Sequence, residues 1–122
     1  MSKQIQVFYE LEVLEGKADE LRDIARQMVA FNKQGEPETL VYNVYRSEDD
    51  KVFTFLDTWA NGAAGIFHAD RFAKGDFVAQ VLEGTGTARL CMYGDVSDEM
   101  KSRAADNGFD VEYAPRIDGF VR

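Results

Sequence analysis

The chain holds one histidine, His68, the only side chain in it whose ordinary pKa, about 6.5, allows proton exchange near neutrality unaided. His68 is therefore the first candidate for a general base. Nine positions earlier stands the single tryptophan, Trp59, and Phe67 and Phe72 lie on the same helical run as the histidine. These rings can wall a flat aromatic ligand. Tyr42, Asn43 and Tyr45 carry groups able to hydrogen-bond a phenol or quinone oxygen, and Asp57 can orient the imidazole as carboxylates do in other base sites. Each residue also has a plainer structural role: His68 as a packed side chain, Trp59 as core, and Asp57 as an ion-pair partner of Arg46 or Arg71.

The elements that must position these residues are legible from periodicity. From Gln4 to Leu14, Ile5, Val7, Tyr9, Leu11 and Val13 alternate as one face of a strand. Leu21, Ile24, Ala25, Met28 and Val29 then recur at helical spacing, with Asp19 and Glu20 near the positive N-terminal end and Gly35 and Pro37 beyond the stop. Thr39 to Arg46 and Val52 to Trp59 are rich in β-branched and aromatic residues and flank the polar tip Ser47 to Lys51, which makes a hairpin. After Asn61-Gly62 a second helical region runs to Leu82, interrupted at Gly75. Gly84-Thr85-Gly86 reads as a turn before a fourth strand, Thr87 to Tyr93.

The order βαββαβ predicts an α+β, ferredoxin-like domain over residues 1–95, its four-stranded antiparallel sheet covered on one face by helices. Residues 96–122 form an extension, with a helix capped by Ser97, a short strand around Phe109, Val111 and Tyr113, and a tail packed on the same domain or on a partner. Both alternating sets of Val52 to Trp59 contain apolar side chains, so the sheet face left bare by helices also needs cover. A second copy, giving a homodimer, is the expected partner.

Composition narrows the rest. The formal net charge of −8 among 122 residues repels polyanions, so no nucleic-acid partner is expected. No run is apolar enough to span a membrane, and with no signal-peptide core a cytoplasmic location is expected. The one cysteine, Cys91, rules out an intrachain disulfide and reads as a small buried side chain. With no Cys/His pairs at ligand spacing, no metal and no bound cofactor are expected.

The run Tyr42-Asn43-Val44-Tyr45-Arg46-Ser47, the strand end Asp57-Thr58-Trp59 and His68 nine positions later resemble the antibiotic biosynthesis monooxygenase family of dimeric α/β-barrel proteins. Together with the element order, the resemblance covers about residues 4–95. It implies a barrel formed by two subunits and a cofactor-independent monooxygenase acting on a small aromatic, quinol or polyketide-like compound. Other readings of the same fold are a non-catalytic dimeric module binding a small molecule and a haem-degrading protein. Haem-degrading relatives use a first-strand asparagine and a Trp/His pair on the second helix, where this chain holds Tyr9, His68 and Val78. Of the polyketide-oxygenase set, Trp59 matches, while Phe55 and Gly65 stand where relatives carry Asn and Tyr.

Overall fold

The computed structural model describes residues 3–122. Its elements are β1 (Ile5–Val13), α1 (Ala18–Gly35), β2 (Thr39–Arg46), β3 (Val52–Trp59), α2 (Gly62–Lys74), α3 (Phe77–Gly84), β4 (Thr85–Tyr93), α4 (Asp98–Asp106) and β5 (Val111–Ala114). The five strands lie in the order β2-β3-β1-β4-β5. All neighbours are antiparallel except β4 and β5. The ferredoxin-like βαββαβ unit thus gains a fifth strand from the extension.

The alternation of β1 decides which face is covered. Ile5, Val7, Leu11 and Val13 are buried; Leu11 and Val13 pack with Leu21, Ile24, Ala25 and Met28 from the stripe of α1, while Ile5 and Val7 pack with Trp59, Ala64, Met92 and Met100. Cross-strand pairing carries the same face into β3, where Phe53, Phe55, Asp57 and Trp59 are all buried. Asn61 begins α2 by accepting the Ala64 N–H at 2.9 Å, and Ser97 does the same for α4 from Met100 at 3.2 Å. Gly75 separates α2 from α3, as its sequence position predicts.

Strand β2 contains one irregularity with consequences for the site. Thr39 pairs with Trp59, but Val41 pairs with Thr58 and Tyr42 with Asp57, so Leu40 is an extra residue that flips the strand's parity. Tyr42 and Val44 consequently share the helix side with Asp57 and Phe55, while Val41, Asn43 and Tyr45 are turned to the other face. That other face also exposes Leu56 and Tyr93. The triplet Gly84-Thr85-Gly86 departs from the expected turn: Gly84 ends α3 and β4 starts at once at Thr85, whose hydroxyl donates to the Val81 carbonyl at 2.9 Å.

The extension packs on its own chain. Strand β5 lengthens the sheet, and Met100 of α4 joins Ile5, Val7, Trp59, Ala64 and Met92 in one apolar cluster. Arg103 bridges to Asp70 of α2 at 3.0 Å. The tail that follows leaves Ile117, Phe120 and Val121 exposed. No helix of the described residues is long and apolar enough to cross a membrane.

Gly65 is the closest point of this packing, since a Cβ there would meet the Trp59 indole and the Met100 methyl. Overfilling a packed core costs about 1–3 kcal/mol. Gly65→Ala is therefore expected to lower stability by about that amount in urea unfolding, and unchanged stability would contradict the packing described.

Candidate functional site

Between the sheet and the helices lies a cavity of about 90 Å³, room for several water molecules. Its walls are mainly apolar, with Leu11, Met28, Phe72, Val81 and Leu90 among them. One end is different. There β3 contributes Asp57 and Trp59, β2 contributes Tyr42, and α2 contributes His68. The imidazole is tilted between two rings, 5.5 Å from Trp59 and 5.6 Å from Tyr42 between centroids.

His68 is held from behind by a residue at the end of α1. Glu36 follows the last helical residue, and its carboxylate, 1% exposed, receives three donors. His68 Nδ1 lies 2.8 Å from Oε1, the Thr39 hydroxyl donates to the same oxygen at 2.8 Å, and Arg71 Nε donates to Oε2 at 3.0 Å. Burial alone would raise the Glu36 pKa, but the His68 hydrogen bond and charge, with Thr39 and Arg71, outweigh it and leave the group below its ordinary value. An ionised carboxylate only accepts, so His68 Nδ1 carries a proton and Nε2 is the nitrogen turned toward Asp57. Arg71 also donates to the Phe31 carbonyl at 3.2 Å and lies 4.0 Å over the Phe31 ring. It thus places positive charge at the negative end of α1.

Asp57 has the opposite character. Its Oδ2 is 4.0 Å from His68 Nε2, beyond hydrogen-bond reach, and its Oδ1 has no partner among the described residues. Burial pushes its pKa up to about 7, with the Glu36 charge adding to the rise and His68 opposing it. Near neutrality this carboxyl can therefore either give or take a proton. Trp59 Nε1 is likewise buried without a partner. The Tyr42 hydroxyl is raised in pKa by burial and by the charges of Asp57 and Glu36, against a hydrogen bond with Asn32. Tyr9, also raised by burial, lines the same cavity.

The structure brings together His68, Asp57, Trp59, Tyr42 and Phe72. It does not bring in Asn43 or Tyr45, which the β2 bulge turns to the bare sheet face, nor Phe67, which is exposed beside a separate surface depression with Glu38 and Ala63. The ion pairs considered for Asp57 go elsewhere, since Arg46 meets Asp50 and Arg71 meets Glu36. Sequence reasoning missed Glu36 and Asn32. Both carried a signal: Asn32 continues the apolar stripe four residues after Met28, and Glu36 sits at a helix C-terminus, where the dipole disfavours an acid. Among the described residues, no three His, Cys, Asp or Glu side chains are grouped to hold a metal ion.

The raised Asp57 pKa has a signed effect on stability. The unfolded chain loses this proton near pH ~4, whereas the folded chain keeps it to about 7. Between those limits the native state binds more protons, so this group's contribution falls as pH rises, by about 1.4 kcal/mol per unit. In Asp57→Asn that decline should vanish, which urea unfolding of both proteins across the interval measures as a difference in slope. Parallel pH dependences would show that the carboxyl is unperturbed.

The family model for antibiotic biosynthesis monooxygenase matches residues 5–80, and no curated protein matches significantly. MupZ from Pseudomonas fluorescens is similar over 99% of this chain and 96% of its own, at 11% identity and a TM-score of 0.85. A candidate antibiotic biosynthesis monooxygenase from Caulobacter crescentus covers 79% of this chain and 92% of its own, with 24% identity and a TM-score of 0.67. Rv0793 from Mycobacterium tuberculosis covers 78% and 97%, with 16% identity and the same TM-score of 0.67. At these identities the solved structures speak for the fold, and the family model speaks for descent: the chain belongs to the antibiotic biosynthesis monooxygenase family.

Proposed function

We propose that the protein is a cofactor-independent monooxygenase whose cavity takes a small aromatic or quinol substrate. The observation that carries this reading is the polar end of an otherwise apolar cavity, lined by Asp57, His68 and Trp59. The Asp57/His68 pair takes a proton from an electron-rich phenol, and the resulting anion reduces O₂ by one electron. Recombination at a ring carbon and loss of water then place one oxygen atom in the product as a carbonyl and release the other as water. The phenol supplies all the electrons, so the protein's part is orientation, a dry pocket and a proton acceptor.

Oxygen uptake with a panel of hydroquinones is the direct measurement. Activity should rise through pH about 7 as Asp57 ionises, and His68→Ala should slow turnover about 10²-fold or more. No uptake above buffer, or full activity in the variant, removes this mechanism.

We also propose a homodimer closed over the bare sheet face. Val41, Tyr45, Leu56 and Tyr93 expose their apolar surface there, and a two-fold partner offers the same face in return. Sedimentation equilibrium at micromolar concentration should give a dimer that Leu56→Glu dissociates, and a stable wild-type monomer would end the proposal.

A further inference from the structure

Beside the cavity, a surface groove of about 440 Å³ runs between α3, the end of α2, β4 and the loop 107–110. Cavity and groove share five lining residues, Tyr9, Phe72, Val81, Leu90 and Phe109. These side chains are the partition between an inner and an outer compartment. Beyond it the groove is lined by Ala73, Val78, Leu82 and Ala88, with Asn107 and Asp110 at the rim. Leu82, which lines the groove, is 63% exposed.

The inner end specifies the chemistry of a head group. Asp57 and Trp59 are two residues apart on the covered face of β3, 6% and 3% exposed, both line the cavity, and each keeps a polar atom with no partner among the described residues. An indole N–H only donates and the ionised form of Asp57, present above pH about 7, only accepts, so the group that suits both is one that accepts and donates together, a hydroxyl. A carboxylate ligand would meet the negative charges of Asp57 and Glu36, and an ammonium would leave the indole unsatisfied.

We propose that cavity and groove form one binding site for an elongated amphiphile, with a hydroxyl-bearing ring at Asp57 and Trp59 and an aliphatic chain passing Phe109 into the groove. This rests on the reading of the cavity as the substrate site and extends it from a small ring to a long-tailed one. Phe109 and the groove's loop belong to the extension, outside the segment matched by the family model, which ends at residue 80. The extension is then a determinant of substrate length, Phe109 being the side chain that touches the chain where it leaves the cavity.

Trp59 is the only tryptophan, so its fluorescence reports occupancy of the head position directly. The probes are phenol, para-propylphenol, para-heptylphenol and, lacking the hydroxyl, para-heptyltoluene. Affinity should climb along the phenol series by up to about fourfold per buried methylene, and the toluene should bind about tenfold or more weaker than its phenol counterpart. Ala88 is exposed and pairs with Leu11, so Ala88→Phe fills the groove from the sheet side at a position that tolerates a large strand-forming residue. This variant should bind phenol as the wild type does and lose the gain from chain length. Equal affinity across the phenol series, a chain-length gain surviving in Ala88→Phe, or equal binding of the toluene would each overturn the proposal. The titrations need no turnover, so chain-dependent binding without oxygen uptake would remove the oxygenase reading and leave this one standing.

Discussion

The arrangement of the site depends on one buried carboxylate. Glu36 is 1% exposed and remains ionised only because donors from two directions meet it, Thr39 from the start of β2 and both His68 and Arg71 from α2. Desolvating an unpaired carboxylate would cost several kcal/mol, so these partners are obligatory rather than incidental. The same contacts join the end of α1 to the face of α2 that looks into the cavity. They also choose the tautomer of His68 and the direction of its free nitrogen. Removing the carboxylate would leave Arg71 without its ion-pair partner and let the imidazole turn.

Much of the fold was legible because it is written in local periodicity. The alternation from Ile5 to Val13 and the helical stripe from Leu21 to Met28 each report one buried face, and the stripe packs against the Leu11 and Val13 end of the strand. The βαββαβ order and the cap at Ser97 were readable for the same reason, each being a statement about neighbours in sequence. The site was legible only in part. Trp59, His68 and Asp57 announced themselves by residue type, but the partner of His68 lies 32 positions away in Glu36, a separation no local pattern encodes. Residue type points to Asp57 as the orienting carboxylate, whereas it is Glu36 that lies 2.8 Å from His68 Nδ1.

Strand β2 shows why facing was harder to read than strand existence. Both alternating sets of Thr39 to Arg46 contain aromatic and aliphatic residues, so pattern alone does not choose between Tyr42 and its neighbours Asn43 and Tyr45. The choice is made by one extra residue at Leu40, which shifts the pairing sum by one and sends Tyr42 inward. Bulges are tertiary decisions about register. A sheet with apolar residues on both sides conceals such a decision, since either facing would bury something greasy.

The electrostatics of the cavity's polar end explain why two acids there are compatible with an apolar binding site. Glu36 is neutralised locally by Arg71 and by its hydrogen bond to His68, whereas Asp57 has no cation in hydrogen-bond reach and keeps its proton to about pH 7. In the proposed reaction a substrate hydroxyl bound to the ionised form of Asp57 would transfer its proton to a carboxylate already inside the cavity. The negative charge would then pass from the protein to the ligand, and the total charge enclosed would not change. Creating a new charge in such a place would be prohibitive, but relocating one across a hydrogen bond requires little new solvation. His68 Nε2, turned toward Asp57 at 4.0 Å, presents the imidazole's second nitrogen to the same end of the cavity. Raising the pKa of a buried acid toward that of its substrate is thus what would let an apolar pocket support the proposed proton transfer without bulk water.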